Sequence, residues 1–185
     1  LVGSEMCIRD RTMMTTYLAA QALTPEATVA MDGGEACAAD LVAAAILDGD
    51  QDSASALAQA IGEDAVSRMN DAALTLGMTA TTYVSPAGTP EEGQRTTCTD
   101  LLRLGRALVE SETFADVFSC AVWETASPDS GLPAQIENRV QMLNPDSAFY
   151  DARVLSAFGG GSGAELFNTV ILAQAGEQRV LVACA

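Results

Sequence analysis

The sequence predicts an α+β fold in which helices pack on an antiparallel sheet. Three observations lead there. Segments with helical periodicity fill the first two-thirds of the chain. The end of the chain reads as two strands, LFNTVILAQ (166–174) and RVLVACA (179–185), joined by the short turn AGEQ. The order of helices first and strands last, with no repeat period, fits helices laid on one face of an antiparallel sheet. A length of 185 residues suits one domain able to bury a core.

The elements follow in order. LVGSEMCIRD (1–10) has no helical or strand period and no apolar run long enough for a signal peptide. It back-translates in one frame to a transposase adapter used in sequencing libraries, so residues 1–11 are read as adapter-derived and the domain as 12–185. MMTTYLAAQAL (13–23) reads as a buried, alanine-rich helix that Pro25 ends, and ATVAM (27–31) as a short strand before the turn DGG. AADLVAAAIL (38–47) is an almost wholly apolar helix and so central to the core. DGDQD (48–52) breaks it, and a further helix follows over 53–60. In 63–76, Val66, Met69, Ala73 and Leu76 share one face, and Gly77 stops the helix. Residues 78–95 form an irregular connection. Thr97 and Asp100 make a capping-box-like start to a helix over 98–110, whose apolar side carries Leu101, Leu104, Leu108 and Val109. A shorter helical stretch covers 112–119, and 124–137 reads as loop.

Composition excludes several functions. Net charge is −16, which repels phosphate backbones and anionic lipid, so nucleic acid is not an expected partner. Glu5 and Asp10 are balanced by Arg9 and Arg11, so the adapter segment does not carry that charge. There is no His and no Lys, and all nine basic residues are Arg. Histidine is the usual general base near neutral pH, and arginine stays protonated in proteins. Cys37, Cys98, Cys120 and Cys184 show no C-x-x-C spacing, so no zinc site or other metal site is expected, and no cofactor. They read as buried thiols, with one disulfide open if the protein is exported. The longest apolar run, Leu41–Leu47, is too short to span a membrane.

The stretch AVSRMNDAALTLGMTATTYVSPAGT (65–89) followed by GQRTTCTDLLRLGRALV (93–109) resembles the serine D-Ala-D-Ala carboxypeptidases, the low-molecular-weight penicillin-binding proteins of the S11 peptidase type. Met69, Asn70, Ala73, Leu76, Gly77, Met78, Thr81, Pro86 and Gly88 match the family pattern. Tyr83 takes its aromatic place, and Thr97, Asp100 and Leu101 match the next helix start. MMTTYLAAQAL is similar to the helix that carries the family's nucleophile. The hairpin with Asn168 and Gly176 is similar to the two strands after its third motif. The resemblance implies a beta-lactamase/transpeptidase-like fold, with the family's N-terminal strands missing from this chain. It also implies an open sheet edge and marginal solubility for residues 12–185 alone.

Such enzymes use S-x-x-K, S-x-N and K-T-G. The serine attacks the carbonyl of the penultimate D-Ala, forming an acyl-enzyme that water hydrolyses. The first lysine activates the serine, the second motif relays protons, and the third supplies a positive charge for the terminal carboxylate. The resemblance places the first motif's lysine at Thr12 and its serine at Arg9. The second motif falls on Gly49, Asp50 and Gln51, where Gly49 has no hydroxyl and Gln51 is one methylene longer than Asn. Asp52 matches the acidic residue that often follows. Ser53 and Ser55 read as ordinary helix-start serines. The third motif falls on Phe158, Gly159 and Gly160, and Phe cannot pair with a carboxylate. Ser162 lies near the family's second threonine. FGGGSG (158–163) reads as a flexible strand entry, since a strand and not a helix follows it.

The expected function is therefore that of a non-catalytic relative of the carboxypeptidases, holding peptidoglycan stem peptides or a cell-wall protein outside the cytoplasm. The alternative is a piece of an active enzyme whose Ser-x-x-Lys lies upstream of the adapter segment.

Overall fold

The computed structural model describes residues 10–87, 92–127, 129–160 and 168–184. Helix α1 spans Asp10–Ala22. A two-stranded hairpin follows, β1 (Thr28–Met31) with β2 (Gly34–Cys37), in antiparallel register with Val29 opposite Ala36. The sequence shows only the first of these strands, because GEAC is too short and too polar for a period to register. Helix α2 (Ala38–Ala43) runs directly into a π-helical turn over Ala44–Asp48. The apolar run predicted over 38–47 is thus two kinds of helix, since the backbone widens before it turns.

Helix α3 covers Gln51–Ile61, two residues earlier than the sequence suggests. Asp50 caps it by accepting from the Ser53 amide at 2.8 Å. Helix α4 (Ala65–Thr75) buries Ala65, Met69 and Ala73, while Val66 is only half-buried. Gly77 follows it at φ +74°, as a helix stop requires. Helix α5 (Cys98–Val109) buries Leu101, Leu104, Gly105 and Leu108, and Val109 stays at the margin. Thr97 caps it through the Asp100 amide at 3.2 Å. The second half of the expected capping box is absent, because the Asp100 carboxylate is taken by the Ala80 amide and the Thr81 hydroxyl. Helix α6 is only Ala115–Ser119.

The stretch read as loop over 124–137 contains a second hairpin, β3 (Val122–Glu124) with β4 (Gln135–Glu137), in which Trp123 faces Ile136. A single 3₁₀ turn covers Gln141–Leu143. The main sheet has three antiparallel strands in the order β5 (Val154–Gly160), β6 (Asn168–Ala175), β7 (Gln178–Cys184). The sequence reads the last two as a hairpin. Phe158–Gly160, read as a strand entry, are already inside β5. Gly161, Ser162 and Gly163 lie outside the described residues.

One sheet face, with Phe158 and Val170, belongs to the core that α1, α2, α3 and α5 build. The other, with Ala157 and Ile171, meets a smaller cluster around Val140 and Met142. On that side of β7, Val180 and Val182 remain exposed. The thiols depart from the buried reading. Cys98 and Cys184 are exposed, Cys37 and Cys120 half-buried, and all four are free. Burial pushes the Cys120 thiol up to about 11.

Helix α5 lies so close to the sheet that a Cβ at Gly105 would meet Val170 Cγ1 at 2.6 Å. A branched strand side chain has little room to turn away. Gly105→Ala should therefore lower stability by about 1–3 kcal/mol despite the better helix propensity of alanine, as measured by thermal melting. Among the described residues no strand pairs with the outer edge of β7, which carries one charge, Arg179, and two exposed valines and is open there to strand pairing between molecules. Val182→Lys should raise the concentration at which residues 12–185 stay monodisperse in light scattering, with no loss in melting temperature.

Candidate active site

The residues that resemble the family pattern act as clamps. The Asn70 side chain donates to Tyr83 O at 2.8 Å and accepts from Tyr83 N at 2.9 Å, tying the irregular connection to α4. The Asp100 carboxylate takes the Ala80 amide at 3.0 Å and the Thr81 hydroxyl at 2.8 Å, and pairs with Arg103 at 2.6 Å. The same connection is pinned to α1. Arg11, fully buried, donates to Ser85 Oγ and to Ala87 O at 2.7 Å each, and Thr15 donates to Pro86 O at 3.1 Å. Gly88 lies outside the described residues.

The three elements expected to carry chemistry do pack on one another: α1 on α3 and on the π turn, and the π turn on β5. Their motif positions carry other residues. Thr12 is buried in the first turn of α1, and Arg9 lies outside the described residues. Gly49 closes the π turn at φ +77°, a conformation that strains a residue bearing a Cβ. Gln51 opens α3. Ser55 donates to Gln51 O at 2.8 Å, within its own helix. The Ser53 hydroxyl is fully buried with no hydrogen-bond partner among the described residues.

Phe158 is fully buried, with its ring centroid 5.7 Å from that of Phe118 and tilted by 51°. Ser156 donates to Phe118 O at 2.6 Å, so the same strand holds α6 by both packing and hydrogen bond. At Gly159 a Cβ would collide with the backbone of Asn168 and Thr169, which confines that position to glycine.

A cleft of about 770 Å³ opens beside the π turn, and neither Gly49 nor Gln51 is in its lining. Asp32 in the β1–β2 turn, Asp48, Asp50 and Asp52 around the π turn, and Glu137 on β4 line it. Arg139, also in the lining, meets Asp48 Oδ1 at 2.7 Å. Its backbone amide donates to Leu47 O at 3.1 Å. Thr12, Gly49, Gln51, Phe158 and Gly159 are all outside the lining, so of the described residues that the resemblance gives to the three motifs Asp50 alone faces this cavity. Asn138 anchors the wall by donating to Cys120 O and Ala157 O and accepting from the Val140 amide. Nothing in the spacing of residues 130–144 marks them as a cleft wall.

Asp40 holds the opposite side. It is fully buried and accepts from Trp123 Nε1 at 2.8 Å and from the Ala126 amide at 3.0 Å. Burial opposes its ionisation, but the hydrogen bonds from Trp123, Ser127 and Ala126 outweigh it, so the carboxyl titrates below its ordinary value. A lone carboxylate in AADLVAAAIL is the sequence signal for such a hub, since a buried charge needs partners.

A helical layer clamped to an antiparallel sheet, with α1 packed on the π turn and the π turn on β5, is the arrangement of a penicillin-binding-protein type of domain. The family model for D-alanyl-D-alanine carboxypeptidase, peptidase S11, matches residues 8–144. The chain belongs to that family. Penicillin-binding protein D2 from Listeria monocytogenes, in its ampicillin-bound form, is 20% identical with a TM-score of 0.78, covering 95% of this chain and 77% of that one. The D-alanyl-D-alanine carboxypeptidase of Mycobacterium tuberculosis H37Rv is 23% identical with a TM-score of 0.79, covering 95% of this chain and 71% of that one. The Streptomyces K15 DD-transpeptidase is 19% identical with a TM-score of 0.75, covering 94% and 78%. At these identities the likeness is one of fold. No curated protein sequence matches the chain. No helix among the described residues is long and apolar enough to cross a membrane.

The Asp40 hub predicts a pH signature. A carboxyl held below its ordinary value contributes stability that is complete above the ordinary aspartate range and is lost as the pH falls through the lower, folded-state value. Asp40→Ala should flatten the acid limb of the stability profile and cost about 1.5–3 kcal/mol at neutral pH, the scale for hydrogen bonds to a charged group. The fluorescence of the single tryptophan, Trp123, follows both.

Proposed function

We propose that this chain is a non-catalytic member of the D-alanyl-D-alanine carboxypeptidase family that retains the fold to bind peptidoglycan stem peptides outside the cytoplasm. Phe158 carries the reading. At the position the resemblance gives to the third motif's lysine stands an aromatic ring, fully buried against Phe118. An ammonium there would meet the substrate carboxylate, whereas the ring can only pack. Gly49 at the second motif has no hydroxyl to relay a proton, and Thr12 has no amine to activate a nucleophile. The chain contains no Lys or His elsewhere that could take over those roles.

Residues 1–11 remain, in this reading, adapter-derived, and the codons upstream of Thr12 at the native locus decide the alternative of an active enzyme. An in-frame Ser-x-x-Lys found there would favour that alternative.

Incubation with a fluorescent penicillin, followed by intact-mass analysis, should leave the chain unmodified, and a diacetylated Lys-D-Ala-D-Ala peptide should release no D-alanine. A penicilloyl adduct on the natural full-length protein would overturn the non-catalytic reading.

A further inference from the structure

The three-stranded sheet ends differently on its two sides. The β5 edge is closed by the rest of the fold. Its register slips between Val154 and Ser156, Asn138 donates to Ala157 O at 2.8 Å, Ser156 donates to Phe118 O at 2.6 Å, and the π turn and α6 pack on the strand. The β7 edge has none of these devices among the described residues. Its seven residues pair with β6 without a bulge, hold no proline and carry one charge, Arg179. The two-residue turn Gly176–Glu177 closes the hairpin at Ala175 and Gln178, so by alternation Arg179, Leu181 and Ala183 turn their backbone N–H and C=O groups outward. Leu181 and Ala183 pack toward the core, while Val180 and Val182 are 41% and 45% exposed on the other face.

We propose that β7 is a dimerisation edge whose occupant is the β7 of a second copy of this chain, the two strands running antiparallel about a two-fold axis at Leu181. That register sets Leu181 opposite Leu181, Arg179 opposite Ala183 and Val180 opposite Val182, and every outward backbone group from Arg179 to Ala183 meets its counterpart. It uses the whole strand and holds the two Arg179 side chains apart, whereas an axis at Arg179 would set them face to face. The valines then form two β-branched pairs on the exposed face. Because the β5 edge is closed, the two open edges consume each other, and the product is one six-stranded sheet and not a fibre. The net charge of −16 on each chain opposes the approach at long range, although the edge itself carries only Arg179. Salt therefore tightens the dimer.

The test is sedimentation equilibrium of the full chain over a concentration series, at ionic strengths of about 0.01 M and about 0.15 M, between which the screening length falls from about 30 Å to about 8 Å. The mass should rise to twice that of one chain and stop there, at lower concentration in the higher salt. Val180→Lys with Val182→Lys sets like charges opposite each other twice and should return the mass to that of one chain. Val180→Lys with Val182→Glu sets opposite charges at the same two places and should restore the dimer. The register has its own readout. An equal mixture of Val180→Cys chains and Val182→Cys chains should link through the introduced thiols on mild oxidation by air, and neither variant alone should link through its own.

A chain that stays a monomer at every concentration would overturn the proposal, and protection of the Arg179, Leu181 and Ala183 amides from exchange in that monomer would assign the edge to another segment of the same chain. A mass that grows past two chains would refute the closure. A link formed by Val180→Cys chains alone would refute the register, as would failure of the Lys and Glu pair to restore the dimer.

Discussion

The cleft depends on one buried carboxylate. Asp40 sits in the most apolar helix of the chain, and its partners come from the far side of the fold: the Trp123 indole, the Ala126 amide and Ser127. A short hairpin such as β3–β4, three residues per strand, is marginal alone in water. Anchored by Asp40 at one end and by Asn138 at the other, it becomes a fixed wall. The second wall is the π turn, held through Leu47 O and Asp48 by Arg139. The Arg139–Asp48 pair links the two walls and, with the Asp40 and Asn138 anchors, sets the width of the cavity.

The sheet side follows a different rule. Replacing a buried cation by an aromatic ring removes a large desolvation cost and adds packing. Phe158 against Phe118, with Ser156 bonded to Phe118 O, fastens α6 to β5. Buried ionic groups in an active site trade stability for chemistry, and on the proposed non-catalytic reading the ring at Phe158 recovers such stability. The buried ring at β5 is consistent with a core closed by packing.

What the sequence discloses follows the length of each signal. Helices α4 and α5 carry three or four apolar positions at helical spacing, enough to fix their buried faces, and they miss only at the margins, at Val66 and Val109. The β6–β7 hairpin is legible because each strand holds a continuous apolar run. The π turn is invisible, since AADLVAAAIL has the same apolar content whether hydrogen bonds reach four residues or five. Strands β2, β3 and β4 are three or four residues long and lie among polar neighbours, so no period accumulates. Strand β5 is hidden because its glycines read as flexibility, although the close approach of β6 at Gly159 is what demands one of them. The cleft could not be read at all. Its lining joins residues from 31 to 144, and only the fold brings them together.

The motif positions and the cleft then bear on one another through charge. A site that recognises a terminal carboxylate needs a fixed cation, and among the described residues the arginine in the cleft lining is Arg139, which meets Asp48. The π turn delivers Asp48, the cap of α3 delivers Asp50 and its first turn Asp52, so the segment that the resemblance gives to the second motif, with its flanks, supplies three of the five carboxylates. Gly49, by turning the chain at a positive φ, is what spaces them around the cavity mouth instead of along one helix face. On the proposed non-catalytic reading, the missing hydroxyl at Gly49 and three of the cleft's carboxylates are features of one short segment, Asp48–Asp52. The clamps at Asn70, Thr81 and Asp100 hold the connection after α4, whereas Asp48, Asp50 and Asp52 line the cleft, so the frame and the acidic lining are set by separate parts of the chain.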